Sequence, residues 1–315
     1  MLLSDVIYSF FLTSQISVGV LANSLVFLIY AYIFLIEPHL KKPMDVMCMH
    51  LTLVNTVTIV FQSTPQLVSS FGVKDFLDDI GCKTFLYISR VTRGLSICTT
   101  SLLSVFQAIT VSPSHSRWAW LKSQLSQWIL PSLLSFWVID MLICIYILEA
   151  VRARLNFSVV GLRYVHAYCE SRPLEEYVPI LVLYVLMIHD LVCMVPMVGS
   201  SLYMVLILYR HRRRARHIHS LTHSSQSSAE NKATRTILLL VLCFVVFYFA
   251  NNLLMIYGLY ASEQNARLEG INGILSSSYR TFCPFLLIRN NKVFLRLTSC
   301  FSKMRVIFSR RAYNG

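Results

Sequence analysis

Apolar positions gather into seven long blocks separated by short polar connectors. The first block is free of charge from Val6 to Ile36, and the second follows Asp45 and continues to Val73 with His50 as its one titratable interruption. The third spans about Phe85 to Val111 and carries Arg90 and Arg93; the fourth runs from about Ser126 to Leu148 around Asp140. The fifth covers about Ile180 to Leu208, with His189 and Asp190 inside it. The sixth, Thr236 to Tyr260, is the cleanest, and the seventh, about Ile271 to Ile288, is shorter and holds Arg280. A helix needs roughly 20 mostly apolar residues to cross the hydrocarbon core. Barrel strands would instead alternate at every second position over about ten residues. The pattern therefore predicts an all-α membrane protein, a seven-transmembrane helix bundle occupying residues 1–290.

Composition agrees. Of 315 residues, 56% are apolar and 14% charged, against roughly 25% charged in a soluble domain. A soluble protein this apolar could not cover its surface with polar groups. The net charge of +13 is gathered in the connectors, not along one face as a nucleic-acid-binding domain requires, so no nucleic acid is expected as a partner. With the amino terminus outside, eighteen Lys and Arg fall on the cytoplasmic side: Lys41, Lys42, Arg117, Lys122, seven within 209–235 and seven after Ile288. The outer loops hold seven, together with Asp75, Asp78, Asp79, Glu149, Glu170, Glu175, Glu176, Glu263 and Glu269. This Lys/Arg asymmetry predicts an outside amino terminus and a cytoplasmic carboxyl terminus. The opening lacks a basic segment and its apolar run is long, so the first span is expected to act as an uncleaved signal.

Two features fit that orientation. The sequon Asn156-Phe157-Ser158 falls in the second outer loop and makes Asn156 a glycosylation candidate. Cys82, at the outer end of span three, and Cys169, in the same loop, lie where an oxidising exterior allows a disulfide. The nine cysteines form no C-x-x-C pair, which leaves a zinc or redox motif without support and no metal or cofactor expected. No P-loop, G-x-S-x-G or H-E-x-x-H motif is present, and catalysis is not expected.

Ionisable groups within a span are costly and are functional candidates. Arg90 and Arg93 share a helix face, roughly 12 and 16 Å below Cys82 at ~1.5 Å per residue. They suit either a polar-ligand contact or a structural pair with Asp190 or Asp140. His189 and Asp190 face the same choice between ligand contact and internal hydrogen bonding. Asp140 reads as structural, whereas Arg280 suits either the pocket wall or a counter-charge. Asn251 and Asn252 lie among Phe247, Tyr248, Phe249 and Tyr257. That mixture suits helix packing, or a pocket for a small volatile or steroid-like molecule. The ligand-binding candidates are thus Arg90, Arg93, His189, Asp190, Asn252 and Arg280.

At the cytoplasmic side, Arg210, Arg212, Arg213 and Arg214 extend span five past the headgroups, where they can hold anionic lipid, a G protein, or both. After the seventh span, Val293, Leu297, Phe301, Met304 and Phe308 recur at helical spacing. Residues 291–315 are accordingly expected to form a cytoplasmic amphipathic helix and basic tail on the membrane surface, with Cys300 a palmitoylation candidate.

Several stretches resemble vomeronasal type-1 receptors. The run Arg93-Gly94-Leu95-Ser96-Ile97-Cys98-Thr99-Thr100, continued by Leu102-Leu103-Ser104-Val105-Phe106-Gln107-Ala108-Ile109-Thr110-Val111-Ser112-Pro113, is similar to that family's third-span signature. Tyr209 to Ser220, ending His217-Ile218-His219-Ser220, and Ala233 to Val241 resemble its segments after span five and at the start of span six. Gly19-x-x-x-Asn23, Pro284-Phe285 and Leu287-Ile288 extend the likeness to the first and seventh spans. Phe106-Gln107-Ala108 stands where rhodopsin-like receptors carry Asp-Arg-Tyr, and Cys283-Pro284-Phe285 replaces Asn-Pro-x-x-Tyr. Arg280 and Ser276-Ser277-Ser278 depart from the family's usual seventh span.

The resemblance implies a multi-pass plasma-membrane receptor for a small pheromone or odorant, coupled to a heterotrimeric G protein of the inhibitory type, with Gln107 joining the arginines of span five at the G-protein face. A bitter-taste-type receptor is the nearest alternative, and Phe106-Gln107 and His217-Ile218-His219 speak against it. A transporter or channel should show repeated halves with broken helices, and no repeated half is found.

Overall fold

The computed structural model describes residues 3–36, 42–71, 73, 76–113, 119–153, 169–171, 177–217, 225–260 and 266–288. Seven long helices account for nearly all of them: α1 Leu3–Ile36, α2 Pro43–Ser70, α3 Asp79–Val111, α4 Ala119–Ile143, α5 Tyr177–His217, α6 Ser225–Tyr260 and α7 Ala266–Ile288. A single helical turn, Ile147–Ala150, follows α4 and leads into a two-stranded ribbon, β1 Val151–Ala153 against β2 Cys169–Ser171. The strands pair antiparallel, with Ala153 opposite Cys169.

Helix ends follow local chemistry. Pro43 opens α2, where its missing N–H costs nothing, and Asp45 Oδ2 accepts the Lys42 N–H at 2.9 Å. Asp78 caps α3 by accepting the Gly81 N–H at 2.7 Å. Pro113 follows the last residues of α3 and cannot continue it. Two helices outrun their apolar blocks: α5 reaches His217 and α6 begins at Ser225. Hydropathy marks the length in contact with lipid, whereas Ala, Glu, Lys and Arg sustain a helix beyond it. The fourth block, expected to be one helix to Leu148, is instead interrupted by a turn at residues 144–146.

Among the described residues, six helical segments are long and apolar enough to cross a membrane: Val6–Ile36, Pro43–Ser70, Asp79–Val111, Gln124–Glu149, Tyr184–Arg210 and Thr234–Leu254. The remaining long helix, α7, carries Ser276, Ser277, Ser278 and Arg280, which dilute its apolar content.

The bundle is apolar outside as well as inside, where Leu51, Leu95, Leu103 and Met197 are fully buried. Phe10, Leu21, Leu28, Leu130, Leu181, Val195 and Leu253 face outward, while Asn23, Thr52, Asn55, Thr58, Ser96, Thr99, Thr100 and Ser104 are buried. Lipid tails are as apolar as leucine, so small and polar residues hold membrane helices together. The most enclosed helix is α3, and α2, α4, α5 and α6 all pack against it. Its polar contacts form a ladder: Thr58 to Thr92 at 2.8 Å, Ser96 to Asn55 at 2.8 Å, Thr100 with Tyr279 at 3.0 Å, and Ser104 with Ser200 at 2.7 Å. His50 ties α2 to α3 through Thr99 at 3.0 Å and to α4 by accepting the Trp137 indole N–H at 2.9 Å.

Candidate functional site

The charged cluster begins on α3. The Arg93 guanidinium lies 3.0 Å from Asp190 Oδ2 of α5, and the Tyr248 hydroxyl of α6 donates to that same oxygen at 2.8 Å. Arg93 also lies 5.7 Å from the centre of the Tyr248 ring, within cation–π range. Three helices thus meet at one carboxylate. The structure realises the Arg93–Asp190 pair; Tyr248, one of the span-six aromatics, is its unanticipated third member.

His189 is placed between two acids: Nε2 is 3.6 Å from Asp140 Oδ1 of α4, and Nδ1 is 3.8 Å from Asp190 Oδ1. Asp140 reaches this position because of Gly94. A Cβ at position 94 would run into Asp140 Oδ1 and stand 2.7 Å from its Cγ. Although Gly94 stands inside the third-span signature, the sequence alone does not show that its missing side chain is filled by a carboxylate. At the same His189 nitrogen, Cys98 Sγ is 3.7 Å from Nε2 and 2.7 Å from Cys193 Sγ. The cluster therefore also includes two cysteines that sequence spacing treats as ordinary apolar filler.

The other candidates are dispersed. Arg90 is half-buried on α3, one turn from Arg93 toward Cys82. Asn252 donates its amide to the Tyr248 carbonyl, at 2.8 Å within α6. Arg280 is buried on α7 and bonds the Ser276 carbonyl and Gln62 Oε1 of α2, the latter at 3.4 Å. Its backbone carbonyl accepts from Asn23 of α1 at 2.9 Å. Here Gly19 matters, since a Cβ there would stand 2.9 Å from Thr281 Oγ1 and from Ile59 Cδ1. Arg280 therefore belongs to a junction of α1, α2 and α7.

Cys82 and Cys169 form a disulfide with a Cα–Cα separation of 5.8 Å, joining the first turn of α3 to β2. At the other end of α3, Gln107 is buried and its amide donates to Thr234 Oγ1 of α6 at 3.2 Å. Arg210 is exposed on the terminal part of α5, and Arg212, Arg213 and Arg214 continue the same helix. Asn156 and the expected helix after residue 290 lie outside the described residues.

Comparison with known proteins accords with this architecture. Residues 6–300 match the profile of the vomeronasal organ pheromone receptor family. "Olfactory receptor class A-like protein 1" of Danio rerio is 34% identical over 279 residues, which is 88% of this chain and 87% of that protein. "Vomeronasal type-1 receptor 4" of Homo sapiens is 34% identical over 275 residues, covering 87% of this chain and 91% of the relative. "Vomeronasal type-1 receptor 90" of Rattus norvegicus is likewise 34% identical over 275 residues, covering 87% and 88%.

Proposed function

The chain belongs to the vomeronasal organ pheromone receptor family, and from that premise we propose how this chemosensory G-protein-coupled receptor binds its ligand and signals. The family is one of receptors, not enzymes. A small pheromone or odorant enters the half of the bundle nearer the disulfide and engages α3, α5, α6 and α7. The observation that carries this reading is the Arg93–Asp190–Tyr248 cluster, which ties three helices through one carboxylate. A ligand with a polar or anionic group competes for Arg93, while Phe247 and neighbouring apolar side chains receive its hydrocarbon part. Arg90, His189, Asn252 and Arg280 complete the candidate set.

Ligand binding acts by preferring an arrangement in which these helices are spaced differently, and that preference shifts the population. In the same proposal the amino terminus is outside and the receptor resides in the plasma membrane. Asn156 is glycosylated, and residues 291–315 lie along the cytoplasmic membrane surface after a receptor domain spanning 1–290. A heterotrimeric G protein of the inhibitory type docks at the cytoplasmic end, on Arg210, Arg212, Arg213 and Arg214. Gln107 joins that surface once its bond to Thr234 opens, because in the present arrangement it is buried.

The test is G-protein activation in cells with surface-confirmed receptor, challenged with pooled volatiles, steroids and urinary extracts. A pool that activates the wild type should lose at least tenfold in potency on the Arg90→Ala/Arg93→Ala double variant at equal surface level. An unchanged response in that variant refutes the pocket assignment.

A further inference from the structure

We propose that Cys98, His189 and Cys193 form a Zn²⁺ site inside the helix bundle, and that Asp140, beside His189, swings in as fourth donor. The two sulfurs and an imidazole nitrogen lie within 4.8 Å of one another. His189 and Cys193 are four residues apart on α5 and so present to one face; Cys98 comes from α3 opposite. Zinc is held tetrahedrally with bonds of about 2.3 Å to sulfur and 2.0–2.2 Å to nitrogen or oxygen. Neighbouring ligand atoms are then about 3.3–3.8 Å apart, by the geometry of those bond lengths. The Cys98 Sγ to His189 Nε2 distance is 3.7 Å, and His189 Nε2 to Asp140 Oδ1 is 3.6 Å. The Cys98–Cys193 sulfur pair is closer, at 2.7 Å. An ion entering between them spreads the two by about 1 Å, to the sulfur spacing those bonds require.

Asp140 supplies an independent observation. It is 2% exposed, and its Oδ2 is buried without a hydrogen-bond partner. A carboxylate oxygen withdrawn from water and left unpaired costs free energy, and an adjacent cation removes that cost. Gly94 provides the space that brings this carboxylate against α3.

The donor chemistry selects the ion. Two thiolates and an imidazole favour a soft or borderline cation over Mg²⁺ or Ca²⁺. Zn²⁺ with two thiolates and a neutral imidazole carries no net charge, and the Asp140 carboxylate brings the four-ligand site to −1 beside the Arg93–Asp190 pair. Each ligating thiol gives up its proton as its S–Zn bond forms, and no redox change is involved. Bound zinc would tie α3, α4 and α5 together beside the Arg93–Asp190 pair. The site does not depend on the ligand-pocket reading, because metal binding is measured without an odorant.

The experiment uses the full chain purified into lipid nanodiscs, with Zn²⁺ alone as the probe. One zinc per chain is expected after washing, measured by elemental mass spectrometry. Co²⁺ substitution should give a thiolate-to-metal charge-transfer band together with tetrahedral visible bands. Both signals should be lost in Cys98→Ser/Cys193→Ser, with thermal unfolding as the check on its fold. Should that variant fail to fold, zinc must protect Cys98 and Cys193 of the wild type from alkylation, and a chelator must restore their reactivity. Folded wild type without a cobalt–thiolate band, or zinc content unchanged in the folded double variant, overturns the site. A Cys98–Cys193 disulfide in the purified chain, or alkylation unaffected by zinc, does the same.

Discussion

Replacing Arg93 by Gln tests whether the three-helix cluster is an energetic unit. At 3.0 Å, two unit charges attract by about 5 kcal/mol with an effective dielectric near 20. The Arg93 side chain keeps 22% of its exposure and that of Asp190 only 7%, so the two single variants differ. Arg93→Gln leaves a charged carboxylate that cannot reach water, at a cost of about 3–5 kcal/mol. Asp190→Asn leaves an arginine able to turn its guanidinium toward solvent and still lie near Tyr248, so a smaller loss of about 1–2 kcal/mol follows from the broken hydrogen bonds. The double variant removes both charges and should recover about 2 kcal/mol of the summed loss, a coupling within the range for contacting residues.

Calorimetric unfolding in nanodiscs reads these differences. At about 2–4 °C per kcal/mol, Arg93→Gln should lower the midpoint by roughly 6–20 °C and Asp190→Asn by about 2–8 °C. The double variant should fall well short of their sum. Tyr248→Phe, which loses one hydrogen bond to a charged acceptor, adds about 1–2 kcal/mol on its own and little once Asp190 is Asn. Additivity of Arg93→Gln and Asp190→Asn to within about 0.5 kcal/mol would show that the pair does not couple the helices, and the argument would fail.

Three further outcomes follow from the packing. Gly94→Ala drives a methyl into Asp140 and should destabilise by about 1–3 kcal/mol, measured by the same calorimetry; Asp140→Ala in that background should restore part of the loss. Cys82→Ser breaks a bridge spanning 87 residues and should cost about 2–5 kcal/mol, seen as reduced surface receptor and a lower unfolding midpoint. Arg280→Met replaces a buried cation whose Nε has no hydrogen-bond partner. Exchanging such a group for an apolar one of similar length is often neutral or stabilising, so an unfolding midpoint at or above that of the wild type is expected.

The number of long helices and their approximate limits were legible because crossing lipid imposes one long apolar block per helix, and that constraint survives in a single sequence. The disulfide was legible for a related reason: Cys82 and Cys169 fall outside the blocks. Block length did not reveal where helices continue into water, as α5 and α6 do, because continuation depends on backbone propensity and capping. Within the site, Arg93 and Asp190 stood out as charges in apolar surroundings, and their pairing was one of the alternatives those charges offered. Tyr248, Cys98 and Cys193 did not stand out. A tyrosine, or a cysteine, in a span is ordinary until a second helix is placed beside it. The His189–Cys193 spacing of four residues gives half of the metal cluster, yet Cys98 enters only through the α3–α5 contact. Gly94 was invisible for the same reason, since its role is the space that Asp140 occupies from another helix.

The arrangement of α3 makes signalling along the bundle energetically accessible without a dedicated wire. Cys82 anchors one end, Arg93 lies three turns in, and Gln107 reaches Thr234 roughly 21 Å farther along at ~1.5 Å per residue. Between them stand Ser96, Thr99, Thr100 and Ser104, whose polar contacts with α2, α5 and α7 are individually weak. Such bonds average about 0.6 kcal/mol between membrane helices, so several can exchange partners at little net cost. Moving a population from about 1:99 to 99:1 needs a differential affinity of only about 5.5 kcal/mol. In the proposed binding mode a ligand that substitutes for Asp190 at Arg93 acts on a coupling of about 2 kcal/mol, larger than any single rung of the ladder, and its other contacts supply the rest. The helix spacing can therefore be set at the charged cluster and followed by the weaker contacts down to Gln107. The same reasoning makes Gln107→Ala a mild change, because it removes one weak bond at the end of the chain of contacts, while Arg93→Gln removes the one that fixes their common geometry.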